Sequence, residues 1–126
     1  MSAKQVLIPG PDHPITLEPT SGTVVVTFGG KVIAETTSAL TLRESTYPAV
    51  QYIPRDDVDL SALEASTEQS YCPYKGEAGY FSIRVGDQLA KDAVWTYETP
   101  YDAVSQIKDY VSFYPDRVDS IEITAA

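Results

Sequence analysis

The sequence predicts a mainly-β domain, a β-tent or sandwich-like pair of antiparallel sheets with about eight strands and one α-helix in its C-terminal half. Three observations carry this. Short runs of β-branched or alternating apolar residues recur between Gly, Pro and Asp positions. A Gly-Gly pair stands between two such runs. Only one segment, after Thr99-Pro100, combines a helix-start signal with apolar residues three and four apart.

The elements follow in chain order. Residues Pro9–Ser21 carry four prolines and read as an extended arm, so that 1–21 is arm and 22–126 β core of a single domain. Ile15 and Leu17 alternate within it as in a strand, so the arm is expected to pack on the sheet. Thr23–Phe28 and Lys31–Thr36 form a hairpin around Gly29-Gly30, because both central residues can take positive φ. Ala39–Arg43 and Ala49–Ile53 read as strands. Asp56–Ala65 offers one or two helical turns, with Ser61 and Glu64 at capping-box spacing. Ser66–Gly79 is rich in Ser, Thr, Pro and Gly and reads as a loop. Tyr80–Val85 and Leu89–Tyr97 pair through a turn at Gly86-Asp87, which sets Tyr80 near Lys91–Ala93. Thr99 as N-cap, Pro100 at the first position and Asp102 in the first turn start a helix that ends near Tyr110. Val111–Tyr114 and Val118–Ile123 form a last hairpin around Pro115-Asp116.

Composition excludes several classes. The chain has 126 residues, 18 acids against 9 bases and a formal net charge of -9. A phosphate backbone is repelled by such a chain on average, which argues against nucleic acid as partner. Met1–Gly10 has no signal-peptide pattern, and no run approaches the roughly 20 apolar residues of a membrane span. With one cysteine, Cys72, the chain forms no internal disulfide and no Cys-pair zinc site, and a reducing cytoplasm is the simplest compartment. No metal and no other cofactor is expected.

Five segments together carry a resemblance: HPITLEP (His13–Pro19), LRESTYPAVQYIPRDDVD (Leu42–Asp59), YCPYKGEAGYFS (Tyr71–Ser82), VWTYETP (Val94–Pro100) and FYPDRV (Phe113–Val118). The chain resembles the bacterial family catalogued as domain of unknown function 427, sometimes labelled a nucleotidyltransferase-type domain. The resemblance runs from about His13 to Glu122 and implies a β-tent fold related to Mss4-like zinc proteins. The cysteine pairs of those relatives are missing here, so their metal role does not carry over.

The residues that can carry chemistry are few. Cys72 is a nucleophile if Lys75 lowers its pKa and His13, the only imidazole, serves as base; otherwise it is a small buried residue beside Pro73. Lys75-Gly76 can hold a carboxylate or phosphate, or simply pair with an acid in a turn. Asp56, Asp57 and Asp59 could hold Mg²⁺ for nucleotidyl transfer, but no glycine-rich phosphate loop accompanies them. They read better as acids at a helix start. Arg43 can clamp a carboxylate with Glu44 holding it, or form a surface ion pair.

The aromatics are the least ordinary feature. Nine tyrosines are present; Tyr71, Tyr74, Tyr80 and Phe81 crowd eleven positions, and Trp95 and Tyr97 share a face of the returning strand. They line a ligand cleft or simply fill a core.

Three functions compete. The first is a domain binding an anionic small organic molecule in an aromatic pocket between the YCPYKG loop and the VWTY strand, with Arg43, Glu44, Tyr52, Cys72, Lys75, Trp95 and Tyr97 as its residues. The second is an enzyme working through Cys72 or Lys75, with His13 or Glu44 as proton carrier. The third is a protein-interaction module, including a homo-oligomer, built on exposed sheet edges.

Overall fold

A computed structural model describes residues 5–125; residues 1–4 and 126, which the single expected domain includes, lie outside the described residues. Ten strands form two antiparallel sheets: β1 (Ile15–Pro19), β2 (Thr23–Phe28), β3 (Lys31–Thr36), β4 (Leu40–Glu44), β5 (Val50–Pro54), β6 (Leu63–Cys72), β7 (Gly76–Val85), β8 (Gln88–Thr96), β9 (Tyr110–Phe113) and β10 (Ser120–Thr124). The larger sheet has the order β1-β4-β5-β9-β8-β7-β6 and the smaller β10-β2-β3. The mainly-β class is as the alternating runs predict.

The small sheet covers one face of the large one. Val24, Val26, Phe28 and Ile33 meet Ile53, Val94, Val111 and Phe113 in the first core cluster. β2 alternates buried and half-buried residues along TVVVTF, and Gly29 and Gly30 take φ of 61° and 76° in its turn to β3. A second cluster lies on the opposite face. There Leu42, Tyr52, Ala78 and Tyr97 pack with Val104 and Ile107 from the segment after Thr99. β1 pairs with β4 from Ile15↔Glu44 to Pro19↔Leu40, so the proline-rich arm contributes an edge strand.

Five expectations are corrected. The stretch Ser66–Gly79 is no loop: it belongs to β6 and β7, which pair across the Cys72↔Gly76 turn. β6 is an edge strand, largely exposed from Glu64 to Ser70, so it carries no apolar alternation to betray it.

The α-helix after Thr99-Pro100 is instead a 3₁₀ segment, Asp102–Ile107, with Val104 at a non-helical φ of -129° and ψ of 28°. Tyr101, with no side-chain cap bond, precedes it. Val104 and Ile107 are fully buried three residues apart, a spacing a 3₁₀ turn aligns without further helix. Among the described residues the earlier helical candidate is likewise two 3₁₀ turns, Arg55–Asp57 and Leu60–Ala62, the second capped by Asp59 and not by Ser61.

The C-terminal strands form no hairpin. β9 lies between β5 and β8, whereas β10 pairs with β2 in the other sheet. The turn Pro115–Arg117 carries the chain from one sheet to the other.

Finally, the β7–β8 register is bulged. Phe81 faces Val94 but Ile83 faces Ala90, so β8 holds two extra residues there. Asp92, within the bulge, has φ of 53°. As a result Tyr80 stands opposite Trp95, further along β8 than simple counting from Gly86-Asp87 places it.

Candidate functional site

A cavity of about 220 Å³ opens on the second face of the large sheet. Its walls are aromatic: Tyr52 from β5, Tyr80 from β7, and Trp95 and Tyr97 from β8 and its end. Tyr47, Pro48 and Tyr114 complete the rim, and Leu42 and Val50 its apolar floor. Strand alternation explains the set. Residues 95 and 97, and 50 and 52, are two apart and share one side of the sheet.

The rings are held in specific relations. The Trp95 indole N–H donates to the Tyr52 hydroxyl at 3.1 Å, with the two rings edge-on at 6.3 Å and 89°. On its other side Trp95 lies 4.5 Å from the Tyr114 ring. Burial pushes the Tyr52 and Tyr97 hydroxyls well above the ordinary phenol range. Burial, with the neighbouring Tyr80, raises Tyr114 to about 12. All three therefore remain neutral donors and acceptors at physiological pH.

One charged group of three side chains sits against these rings. Lys75 Nζ lies 2.7 Å from Glu44 Oε1, and His13 Nε2 lies 2.7 Å from Glu44 Oε2. The side chains of Lys75 and Glu44 are each only 13% exposed, so the pair is largely withdrawn from water. Burial pushes the Glu44 carboxyl up, but the hydrogen bonds and charges of Lys75 and His13 outweigh it and leave it below the usual value. Against a carboxylate acceptor, His13 carries its proton on Nε2. The imidazole is fixed by stacking on Tyr74, 4.1 Å away and 7° from parallel. The turn closed by the Gly10–His13 bridge presents it. Lys75 Nζ also lies 6.0 Å from the Tyr97 ring centre, within cation–π range.

Glu44, Tyr52, Lys75, Trp95 and Tyr97 thus line one cavity, as the sequence suggests for a site where the YCPYKG segment meets VWTY. Two expected members do not. Arg43 is exposed and does not line the cavity. It neighbours Glu44 on β4, and consecutive strand residues point to opposite faces, so one pocket cannot take both. Cys72 packs half-buried against the second core cluster and does not line the cavity. The structure does not pair it with His13, whose ring contacts are with Glu44, Tyr47 and Tyr74.

The acids of residues 56–59 lie outside the cavity too. Asp57 accepts from the Thr36 hydroxyl at 2.7 Å, and Asp59 pairs with Lys31 at 2.9 Å. Leu42, Tyr47, Pro48, Val50 and Tyr114 also line the cavity, and no local pattern in the chain marks them as pocket residues. All five lie in the family-like segments Leu42–Asp59 and Phe113–Val118, and that is the one signal the sequence offers for them.

Fold and site together define a small mainly-β domain of two antiparallel sheets, with an aromatic cavity that a lysine–glutamate pair lines on one side. Residues 16–124 match the family described as domain of unknown function DUF427, and the chain belongs to that family. A search of the curated proteins found no match. Among the described residues, no helix is long and apolar enough to cross a membrane.

Proposed function

We propose that the domain binds a small organic molecule in the aromatic cavity and anchors it on Lys75 and Glu44. The observation carrying this reading is the nearly buried ion pair at the wall of a ring-lined space. Burying two charges is costly unless geometry and added hydrogen bonds offset it. Two apolar residues would pack a core here at no such cost.

The cavity limits ligand size. At about 220 Å³ it is below the range of ~300–1,000 Å³ found for drug-sized ligands, so the molecule is a single ring or of similar bulk. Its polar group is defined by what the pair presents. Without Arg43, the cation at the site already has a carboxylate partner, and a ligand anion would meet Glu44 as well. Lys75 retains spare donors and Glu44 spare acceptor sites. Side by side they suit an uncharged group that both accepts and donates, such as a primary amide or a hydroxyl. Cytoplasmic residence accords with the free, half-buried Cys72.

The test uses benzamide, benzoate and benzylamine as probes, read by the fluorescence of Trp95, the chain's only tryptophan. Benzamide is expected to bind best, and Lys75→Met and Glu44→Gln each to weaken it about tenfold or more. Failure of all three probes, or equal binding by wild type and both variants, overturns the reading.

A further inference from the structure

The small sheet is unfinished at β10. Its order is β10-β2-β3, so β10 pairs with β2 along one edge and, among the described residues, with no strand along the other. Ile121 and Ile123 are the cross-strand partners of Val26 and Val24 and share their inward face. Val24 and Val26 are 0% exposed, whereas Ile123 is 51% exposed. Cover on that face therefore thins out between β2 and β10. What lies there is an apolar cleft of about 310 Å³ between the sheets. Val26, Ile121 and Ile123 wall it on one side, and Ile53 and Phe113 on the other.

The other three sheet edges are protected in ways that β10 is not. Along β3, Ala34 is bridged by Val58, and the Asp59 N–H donates to the Ile33 carbonyl at 2.8 Å. β1 follows Pro14 and ends in Pro19. β6 is bulged between Ala65 and Gln69 and polar along most of its length. Covering segments, prolines and bulges are devices that keep an edge strand from pairing further. β10 has a regular register with β2, no proline, and an Ile-Glu-Ile alternation whose isoleucines face the cleft.

We propose that β10 is a docking edge for an extended segment of a partner protein. The segment adds as a fourth strand of the small sheet and sets alternate apolar side chains into the cleft. Main-chain hydrogen bonds to the free edge supply affinity, and the cleft selects the apolar positions. Charge selects the positions between them. Glu122, Val25 and Glu35 stand in one cross-strand row on the outward face. Both carboxylates are exposed, and neither has a cationic partner among the described residues. The residue of the segment beside Glu122 is therefore basic. A second copy of the chain fits poorly. Antiparallel pairing of β10 with itself, in the register that sets Ile121 against Ile123, brings Glu122 against Glu122 between chains of net charge -9. The aromatic cavity opens on the opposite face of the large sheet, and the docking edge does not depend on it.

The probe is a capped hexapeptide of alternating valine and lysine, titrated into the intact protein by calorimetry. The controls are the same residues arranged in two blocks, and an alternating valine–glutamate peptide. The alternating lysine peptide is expected to bind about tenfold or more tighter than the block peptide, and to slow amide exchange along β10 but not along β6. Ile123→Ser removes part of the cleft wall at a half-exposed position and should weaken this peptide about tenfold. Glu122→Lys should cut the preference for the lysine over the glutamate peptide about fivefold or more. Glu68→Lys, the same charge change at an exposed position on β6, should leave that preference within about twofold. If Ile123→Ser does not fold, the contrast between Glu122→Lys and Glu68→Lys decides. Equal binding of the alternating and block peptides, or wild-type behaviour of the β10 variants, overturns the proposal. So does a chain that sediments as a dimer and takes up no peptide, which assigns the edge to a second copy.

Discussion

Trp95 donates its indole N–H to the hydroxyl of Tyr52 across the intervening strand β9, at 3.1 Å. The bond ties β8 to β5 where backbone pairing between β5 and β9 has stopped. It also sets the indole as one wall of the aromatic cavity. Tyr52 is 1% exposed and Trp95 half-buried, so this is an interior contact with one end open to the cavity.

Tyr52→Phe removes the acceptor and leaves the ring. A lost buried hydrogen bond costs about 1–2 kcal/mol, moderated here because the indole can turn its N–H to cavity water. The expected outcome is a fall of about 1 kcal/mol in urea-unfolding stability together with a shift in Trp95 emission. An unchanged emission spectrum contradicts the assigned contact.

Alkaline titration follows from the buried hydroxyls. Tyr52 and Tyr97 are raised above the ordinary value by burial first, and by neighbouring acidic groups. A group whose folded pKa is raised contributes stability that is complete below its unfolded pKa of about 10 and is lost as pH rises above it. The contribution of these two hydroxyls is therefore constant up to about pH 10 and declines above it. Spectrophotometric titration of the folded protein should show tyrosines that ionise only on unfolding, and their number should fall by one in Tyr52→Phe.

On the acid side Glu44 contributes in the opposite sense. Its carboxyl is lowered by Lys75 and His13 in spite of burial. A lowered carboxyl contributes stability above its unfolded value of about 4.3 and loses it as pH falls through the folded value. Asp59, held down to about 2 by Ser61 and Lys31, acts in the same direction. Glu44→Gln is expected to lose about 2–3 kcal/mol at pH 7, because Lys75 is left largely buried without its carboxylate. Its stability should also vary less than that of wild type below pH 4.3. A Glu44→Gln, Lys75→Met cycle should show a coupling of about 1 kcal/mol or more; additivity would show the pair to be energetically idle.

Arg43→Ala supplies the contrast. The side chain is exposed and off the cavity, so stability should change by less than about 0.5 kcal/mol and probe binding by less than twofold. A tenfold loss of benzamide binding would place Arg43 in the site after all.

Gly22→Ala tests the β2–β10 junction. Gly22 has φ of 101°, and a Cβ there would lie 2.0 Å from the Thr124 carbonyl oxygen. The contact is with backbone and cannot be relieved by a rotamer change. Thermal unfolding should fall by the equivalent of about 3 kcal/mol or more, with β10 the first strand to lose amide protection. A variant as stable as wild type would mean that β10 is not seated as described.

Much of the site was legible in the chain because it depends on local periodicity. Trp95 and Tyr97 had to share a face, and the YCPYKG turn had to lie at the same end of the β7–β8 hairpin. The local pattern marks Lys75 as a turn cation and Glu44 as a strand-end acid but carries no sign of the bond between them. Arg43 stands beside Glu44 in the chain, but adjacent strand residues face apart; the alternation of Leu40, Leu42 and Glu44 is the signal that separates them.

Legible from the residues alone are the mainly-β class, the Gly29-Gly30 hairpin, the strand character of β2, β3, β4, β5 and β8, and much of the aromatic lining of the cavity. These follow from side-chain alternation and turn chemistry, which act over a few residues. The tertiary structure alone decided that polar Ser66–Ser70 is an edge strand, that Thr99–Tyr110 stops at a 3₁₀ segment, and that β9 and β10 part into different sheets. It alone placed His13, 31 residues from Glu44, on the same carboxylate as Lys75. Such outcomes depend on which distant surfaces bury one another. A bulge of two residues or a chain crossing between sheets changes every partner downstream while leaving the local pattern untouched.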